Sequence, residues 1–216
     1  MNENSSKQVL LSVIGIAVLV VAVVGVSFAF FTYSKTGTAN NTLTTGSIFF
    51  DFTDGNAINL TNQFPMADSE GEALTTDAHG ALTFNVKGYD TSGKGIEYTV
   101  YAFPGDPVGT RDRFKDSEIK LNLSTTATGV TNNFSTSKAV GEDGSLTSGI
   151  VLATGKITAN SSATQQDDAY TLRMWISDTV TIGEGKTYTT AAFGNLYYSL
   201  RLKVVAATTG TTQPTP

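Results

Sequence analysis

The sequence predicts an all-β domain, an antiparallel β-sandwich, preceded by an N-terminal hydrophobic signal or anchor helix. Three observations carry this. Residues Val9 to Phe31 contain no charge. Beyond Ser34 the chain falls into short stretches rich in β-branched and aromatic residues, most of which alternate apolar and polar. Between them lie clusters of Gly, Pro, Asp and Asn, whose backbone preferences suit turns.

The N-terminal segment comes first. At about 1.5 Å per residue it is long enough to cross a bilayer as a helix, so the membrane is a partner at least during export. Ala29 is a small residue suited to precede a signal-peptidase cut, which makes Phe30 the first residue of the mature chain. The rival is an uncleaved single-pass anchor, with Lys7 before the segment and Lys35 the next cation. Either way the chain from about Phe30 lies outside the cytoplasm, secreted or at the cell surface. With no cysteine among 216 residues there is neither a lipid-modified N-terminus nor a disulfide framework, so stability rests on a hydrophobic core or on assembly. A net charge of −5 and the lack of any Lys/Arg run exclude nucleic acid as a partner.

The predicted strands are residues 46–53, 81–88, 95–103, 118–124, 148–158, 169–177 and 196–206. In the third, Ile96, Tyr98, Val100 and Ala102 alternate with Glu97, Thr99 and Tyr101, so one face is buried and one wet. "GYDTSGKG" reads as a hairpin turn, residues 61–78 as a long polar connection, and "AAFGNL" after Thr190 as a short helix leading into the last strand. The division is then 1–29 signal or anchor, 30–45 an N-terminal segment, 46–206 the sandwich, and 207–216 a disordered Thr/Pro tail.

Enzyme chemistry finds little footing. A zinc protease needs several clustered ligands, but His79 is the single histidine and no HExxH is present. Serine catalysis of the common kind would need that same histidine, and no Gly-rich phosphate loop leads from a strand into a helix. Asp106, Asp112, Asp116 and Glu118 share one loop, and Asp167 and Asp168 adjoin. These are the calcium candidates, but Arg111, Arg113 and Lys115 interleave with the first group and make solvated charges the better reading. No cofactor is expected. Arg173 and Trp175 share a strand parity opposite to Leu172, Met174 and Ile176, which offers an aromatic–arginine pair to an interface or to the chain's own loops.

The stretch "SFAFFTYS", the polar gap with "NNTLTTG" and the strand "SIFFDF" resemble the N-terminal region of the TasA/camelysin family of exported bacterial fibre and surface proteins. Ala29, Phe30 and Phe31, then Asn41 and Gly46, stand at that family's positions. The resemblance covers roughly the first fifty residues. It implies a jelly-roll-like sandwich, trimmed by a signal peptidase, that polymerises with copies of itself into biofilm-matrix fibres by donating its N-terminal segment as a strand. Phe30 begins that segment; Phe31, Tyr33, Ala39 and Leu43 fall on one parity, with Thr32, Ser34, Thr36, Thr38 and Thr44 on the other. Gly37 and the Asn pair suit a flexible stalk instead. The alternative function is a membrane-tethered adhesin with its helix retained.

Overall fold

The computed structural model describes Val13, Ile16 and residues 32–36, 41–45, 48–53, 58–61, 63–75 and 80–213, the first three strands as backbone only. Contacts divide the chain into two units, Met1–Thr32 and Tyr33–Pro216. In the first, Val13 and Ile16 are helical and exposed; the rest of the expected signal or anchor helix, with Ala29, Phe30 and Phe31, lies outside the described residues. Among the described residues no helix is long and apolar enough to cross a membrane.

The second unit is mostly β, with few and short helical turns among the described residues. Its strands are β1 (Thr32–Thr36), β2 (Asn41–Thr45), β3 (Ile48–Thr53), β4 (Asn59–Thr61), β5 (Ala81–Asp90), β6 (Ile96–Pro104), β7 (Asp112–Arg113), β8 (Ile119–Thr125), β9 (Thr131–Asn132), β10 (Lys138–Ala139), β11 (Ile150–Ile157), β12 (Gln166–Ile176) and β13 (Leu196–Thr208). They form two sheets. The first has the order β1-β13-β6-β11-β9, with β4 and β7 also on β13; the second has the order β10-β8-β12-β5-β3-β2. The pairings among β3, β5, β6, β8, β11, β12 and β13 are antiparallel, and the long strands from β5 onward alternate between the sheets along the chain.

That alternation corrects one expectation. The turn after β5 is not a hairpin, because β5 and β6 belong to different sheets. It is a corner, tied by the Asp90 carboxylate, which accepts the Ser92 N–H at 2.8 Å, the Ser92 hydroxyl at 2.8 Å and the Gly95 N–H at 2.7 Å. Burial alone would raise the Asp90 pKa, but these donors together hold it below the ordinary carboxylate value. The short helix expected near Thr190 is present as Thr190–Gly194, with the Thr189 hydroxyl accepting the Ala192 N–H as its cap.

Inward side chains make the core. Tyr98, Val100, Leu202 and Val204 face it from the first sheet, and Phe84, Val86, Leu121, Leu123, Leu172 and Met174 from the second, all nearly inaccessible to solvent. Burying such an aliphatic or aromatic side chain contributes about 1.5–3 kcal/mol. One polar group crosses the core. The Tyr98 hydroxyl donates to the buried Asp168 carboxylate at 2.5 Å, and Tyr98 and Tyr170 share a second hydrogen bond at 2.6 Å. A carboxylate only accepts, so the Tyr98 proton goes to Asp168 and the Tyr98 oxygen accepts from Tyr170. The Tyr170 ring stacks on Phe84, its cross-strand partner, at 4.9 Å between centroids. Gly155 on β11 leaves the space that the Tyr98 ring fills; a Cβ there would overlap the phenol.

This latch predicts alkali sensitivity. Burial first, then the bond to Asp168, raises the Tyr98 pKa; burial and the Asp168 charge push Tyr170 up to about 12, against the pull of its bond to Tyr98. Both folded values exceed the ordinary phenol value of about 10. Their stabilisation is therefore fully present below pH about 10 and is lost as pH rises through the folded values. Denaturant melts should show stability falling above that pH. Tyr98→Phe should cost about 1–3 kcal/mol at neutral pH, because Asp168 loses a buried donor, and should flatten the alkaline fall. An unchanged midpoint for the variant would remove the latch from the account.

Candidate functional site: the free side of β13

The last strand is the longest, at 13 residues, and its two sides are unequally filled. Leu200 to Thr208 pair with Pro104 to Ile96 of β6. The same side continues past Pro104, where the Gly105 N–H donates to the Ser199 carbonyl at 2.9 Å and β7 runs parallel to Leu196 and Tyr197. Tyr197 also faces Thr61 of β4, so β4 and β7 occupy opposite sides of β13. In the sheet order β1 lies across β13 from β6. Among the described residues, the side away from β6 therefore carries β4, of 3 residues, and β1, of 5, and no other strand.

That side of β13 can take an extended segment by main-chain hydrogen bonds, the chemistry of strand addition. Its floor is rigid. The Tyr198 hydroxyl donates to Asp116 at 2.7 Å, the Arg113 guanidinium lies 4.2 Å over the Tyr198 ring, and Arg113 pairs with Asp116 at 2.8 Å. Burial first, then the Asp116 bond, raises the Tyr198 pKa, with Arg113 opposing.

The expected donor residues do not form one strand. Tyr33 falls in β1 of the first sheet, whereas Leu43 falls in β2 of the second, where it pairs with Phe50. Ala39 and Phe31 lie outside the described residues. A single parity running from 31 to 43 therefore does not correspond to a single ladder: the segment reaches two sheet edges.

Arg173 and Trp175 share the outward face of β12, as their alternation predicts, but their partner is the chain's own connection rather than a second molecule. Trp175 is 0% exposed. The helical turn Asp68–Gly71 covers it, and a Cβ on Gly71 would overlap the indole. The Arg173 Nε–H donates to the Leu74 carbonyl at 2.7 Å and its Nη1 to the Ser124 hydroxyl at 2.8 Å. Lys120 grips Asp68 through both carboxylate oxygens, at 2.9 and 2.7 Å, and the Met66 N–H donates to the Ile176 carbonyl at 3.0 Å. A residue without a side chain is what lets the turn close on so large a ring, a signal readable at Gly71 only once its neighbour is known.

The calcium candidates are engaged within the chain. Asp116 serves Arg113 and Tyr198, as above. Glu118 accepts the Tyr188 hydroxyl at 2.8 and 2.7 Å, and the Tyr188 pKa is pushed up to about 12 by burial and by that bond. Asp167 pairs with Lys87 at 2.9 Å, and Asp168 belongs to the latch. Asp106 and Asp112 contribute main-chain atoms, a carbonyl to the Ser199 hydroxyl and an N–H to the Asn195 carbonyl. Among the described residues no group of three or more His, Cys, Asp or Glu is placed to hold a metal ion; His79 lies outside them.

Comparison with known protein families, with curated proteins and with solved structures finds no match. The β13 side and the fold around it therefore stand on their own geometry.

Gly71→Ala should destabilise the domain by about 1–3 kcal/mol through overpacking against Trp175. Gly194→Ala is the control: nothing lies within 4 Å of its Cβ position, and it should melt at or slightly above the parent. Tryptophan fluorescence during thermal unfolding reads both, and equal melting of the two variants would contradict the placement of the turn.

Proposed function

We propose that the protein is an exported structural subunit that polymerises with copies of itself at the cell surface or in the extracellular matrix, its N-terminal segment adding as a strand to the next copy. The supporting observation is the position of β1. This strand, taken from the segment that the sequence marks as donor, is the edge partner of β13 on the side that little else fills. Each ladder hydrogen bond contributes about 0.5–1.5 kcal/mol net, and a five-residue strand makes few of them. The chain's own β1 and the β1 of another copy then compete for the same edge with similar contacts. Occupation by another copy is a head-to-tail contact, and a head-to-tail contact that does not close on itself propagates into a filament.

The resemblance of the first fifty residues to the TasA/camelysin family agrees with this reading. It adds a jelly-roll-like path for the sandwich, with which the alternation of long strands between sheets is compatible, and removal of residues 1–29 by a signal peptidase between Ala29 and Phe30. In this role the protein needs no catalytic group and no cofactor; its chemistry is that of main-chain pairing.

Ser34→Pro separates assembly from folding. Proline removes an N–H in the middle of β1 and disfavours pairing there. The chain beginning at Phe30 should form regular fibres in electron micrographs, whereas its Ser34→Pro variant should stay monomeric or form short oligomers with an unchanged β-type circular dichroism spectrum. Fibres of equal length from the variant would overturn donation by β1.

A further inference from the structure

The first sheet has a second exposed flank, along β11. β6 fills one side of Ile150–Ile157. On the other side β9 meets only Ala153 and Thr154, and the Asn133 N–H reaches the Leu152 carbonyl at 3.2 Å. Main-chain groups of alternate residues point to the same side of a strand, so those of Lys156 and Thr158 continue this flank beyond Thr154. An edge with unfilled donors and acceptors is a template for pairing with another chain.

A side chain fills it. The Gln166 Nε2 donates to the Lys156 carbonyl at 2.9 Å, while its Oε1 accepts the Thr158 N–H at 2.8 Å. In a parallel ladder a residue of the incoming strand does the same two things, donating to the carbonyl of one residue and accepting the N–H two residues on. The carboxamide cannot turn over, because its Nε2 also donates to both oxygens of Asp168, each at 3.0 Å, and a carboxylate offers no proton in return. Asp168 is in turn held by Tyr98. The buried latch therefore aims an amide at the sheet edge.

We propose that Gln166 is a surrogate strand, whose carboxamide closes the β11 edge against an extended polar strand from a second copy of this chain. The occupant refused is set by the surroundings. Beside this edge runs a groove of about 400 Å³ lined by Glu97, Thr99, Thr131, Thr154, Lys156 and Gln213 among others. Its hydroxyls, amide and paired charges suit a strand of the composition of Thr32–Thr36 or Asn41–Thr45, in which hydroxyls and amides predominate. The closure follows from main-chain geometry and does not require that the β13 side be the productive one. Where both hold, they give the subunit one open edge and one shut, so that strands add in a single place.

The test uses the full-length chain in non-ionic detergent. Gln166→Ala should associate beyond the parent in sedimentation velocity over a hundredfold range of concentration. At the dilute end its Thr158 amide should exchange hydrogen at least tenfold faster than in the parent, regaining protection as the chains associate. Gln166→Met keeps the length of the side chain without setting a second carboxylate against Asp168, offers neither the donor nor the acceptor that the edge needs, and should behave like the alanine variant, with parental Trp175 fluorescence showing that the fold is kept. Adding Thr158→Pro to Gln166→Ala removes the N–H that an incoming strand needs and should restore the sedimentation of the parent. Parental sedimentation and parental Thr158 exchange in both single variants would overturn the proposal, as would a double variant that associates as strongly as Gln166→Ala.

Discussion

The Tyr98–Asp168 hydrogen bond is the constraint on which the rest of the sandwich turns. A carboxylate without partners in an apolar core costs several kcal/mol, so Asp168 is tolerable only with its donors in place. Those donors come from both layers, the Tyr98 phenol from β6 and the Gln166 amide from its own strand β12. Satisfying them fixes how far apart the sheets stand and how β6 lies over β12. Greasy packing alone specifies this less sharply, since apolar side chains of about the right volume can slide past one another. Tyr170 and Gly155 then follow, the one as a second phenol in the chain of hydrogen bonds and the other as the gap that admits the Tyr98 ring.

The same network reaches the surface. Gln166 carries the order of the core to the β11 edge, and the corner at Asp90 uses another carboxylate to turn the chain from one sheet to the other. The opposite flank, along β13, has no such polar plug among the described residues. It is covered by strands of three and five residues drawn from the N-terminal part of the chain. An asymmetry of this kind is what a subunit that adds strands in one direction requires, because two open edges would permit branching and sheet-to-sheet aggregation.

Much of this was legible in the sequence, and the limits are physical. Strands longer than about six residues announce themselves by alternation, so β5, β6, β11, β12 and β13 lie where periodicity places them, and the inward set Ile96, Tyr98, Val100 and Ala102 is the one observed. β4, β7, β9 and β10 are too short to show a period. Turn chemistry is local, so "DTSGKG" looked like a hairpin although sheet membership, a non-local property, makes it a corner. Residues 30–45, which the sequence offers as a donor strand or a stalk, include Tyr33 in β1 and Leu43 in β2, on different sheets. Asp167 and Asp168 looked alike as neighbouring carboxylates; strand parity sends one to Lys87 at the surface and the other to the buried phenols. An inward tyrosine at 98 was the available clue, since a buried phenol needs a partner. Alternation puts Trp175 on the face of β12 opposite to Met174, but what covers it there depends on Gly71, more than a hundred residues away in sequence.

The most direct test of strand exchange at β13 uses the absence of cysteine from the chain. One population carries Ser34→Cys in β1 and a second carries Lys203→Cys in β13; the two are mixed before assembly and the fibres are treated with a flexible bis-maleimide. Exchange predicts covalent dimers containing one chain of each kind, far in excess of those from either population alone. If only a chain bearing both cysteines cross-links, and it does so within itself while the fibres are intact, β1 stays on its own β13 and the assembly must use another surface.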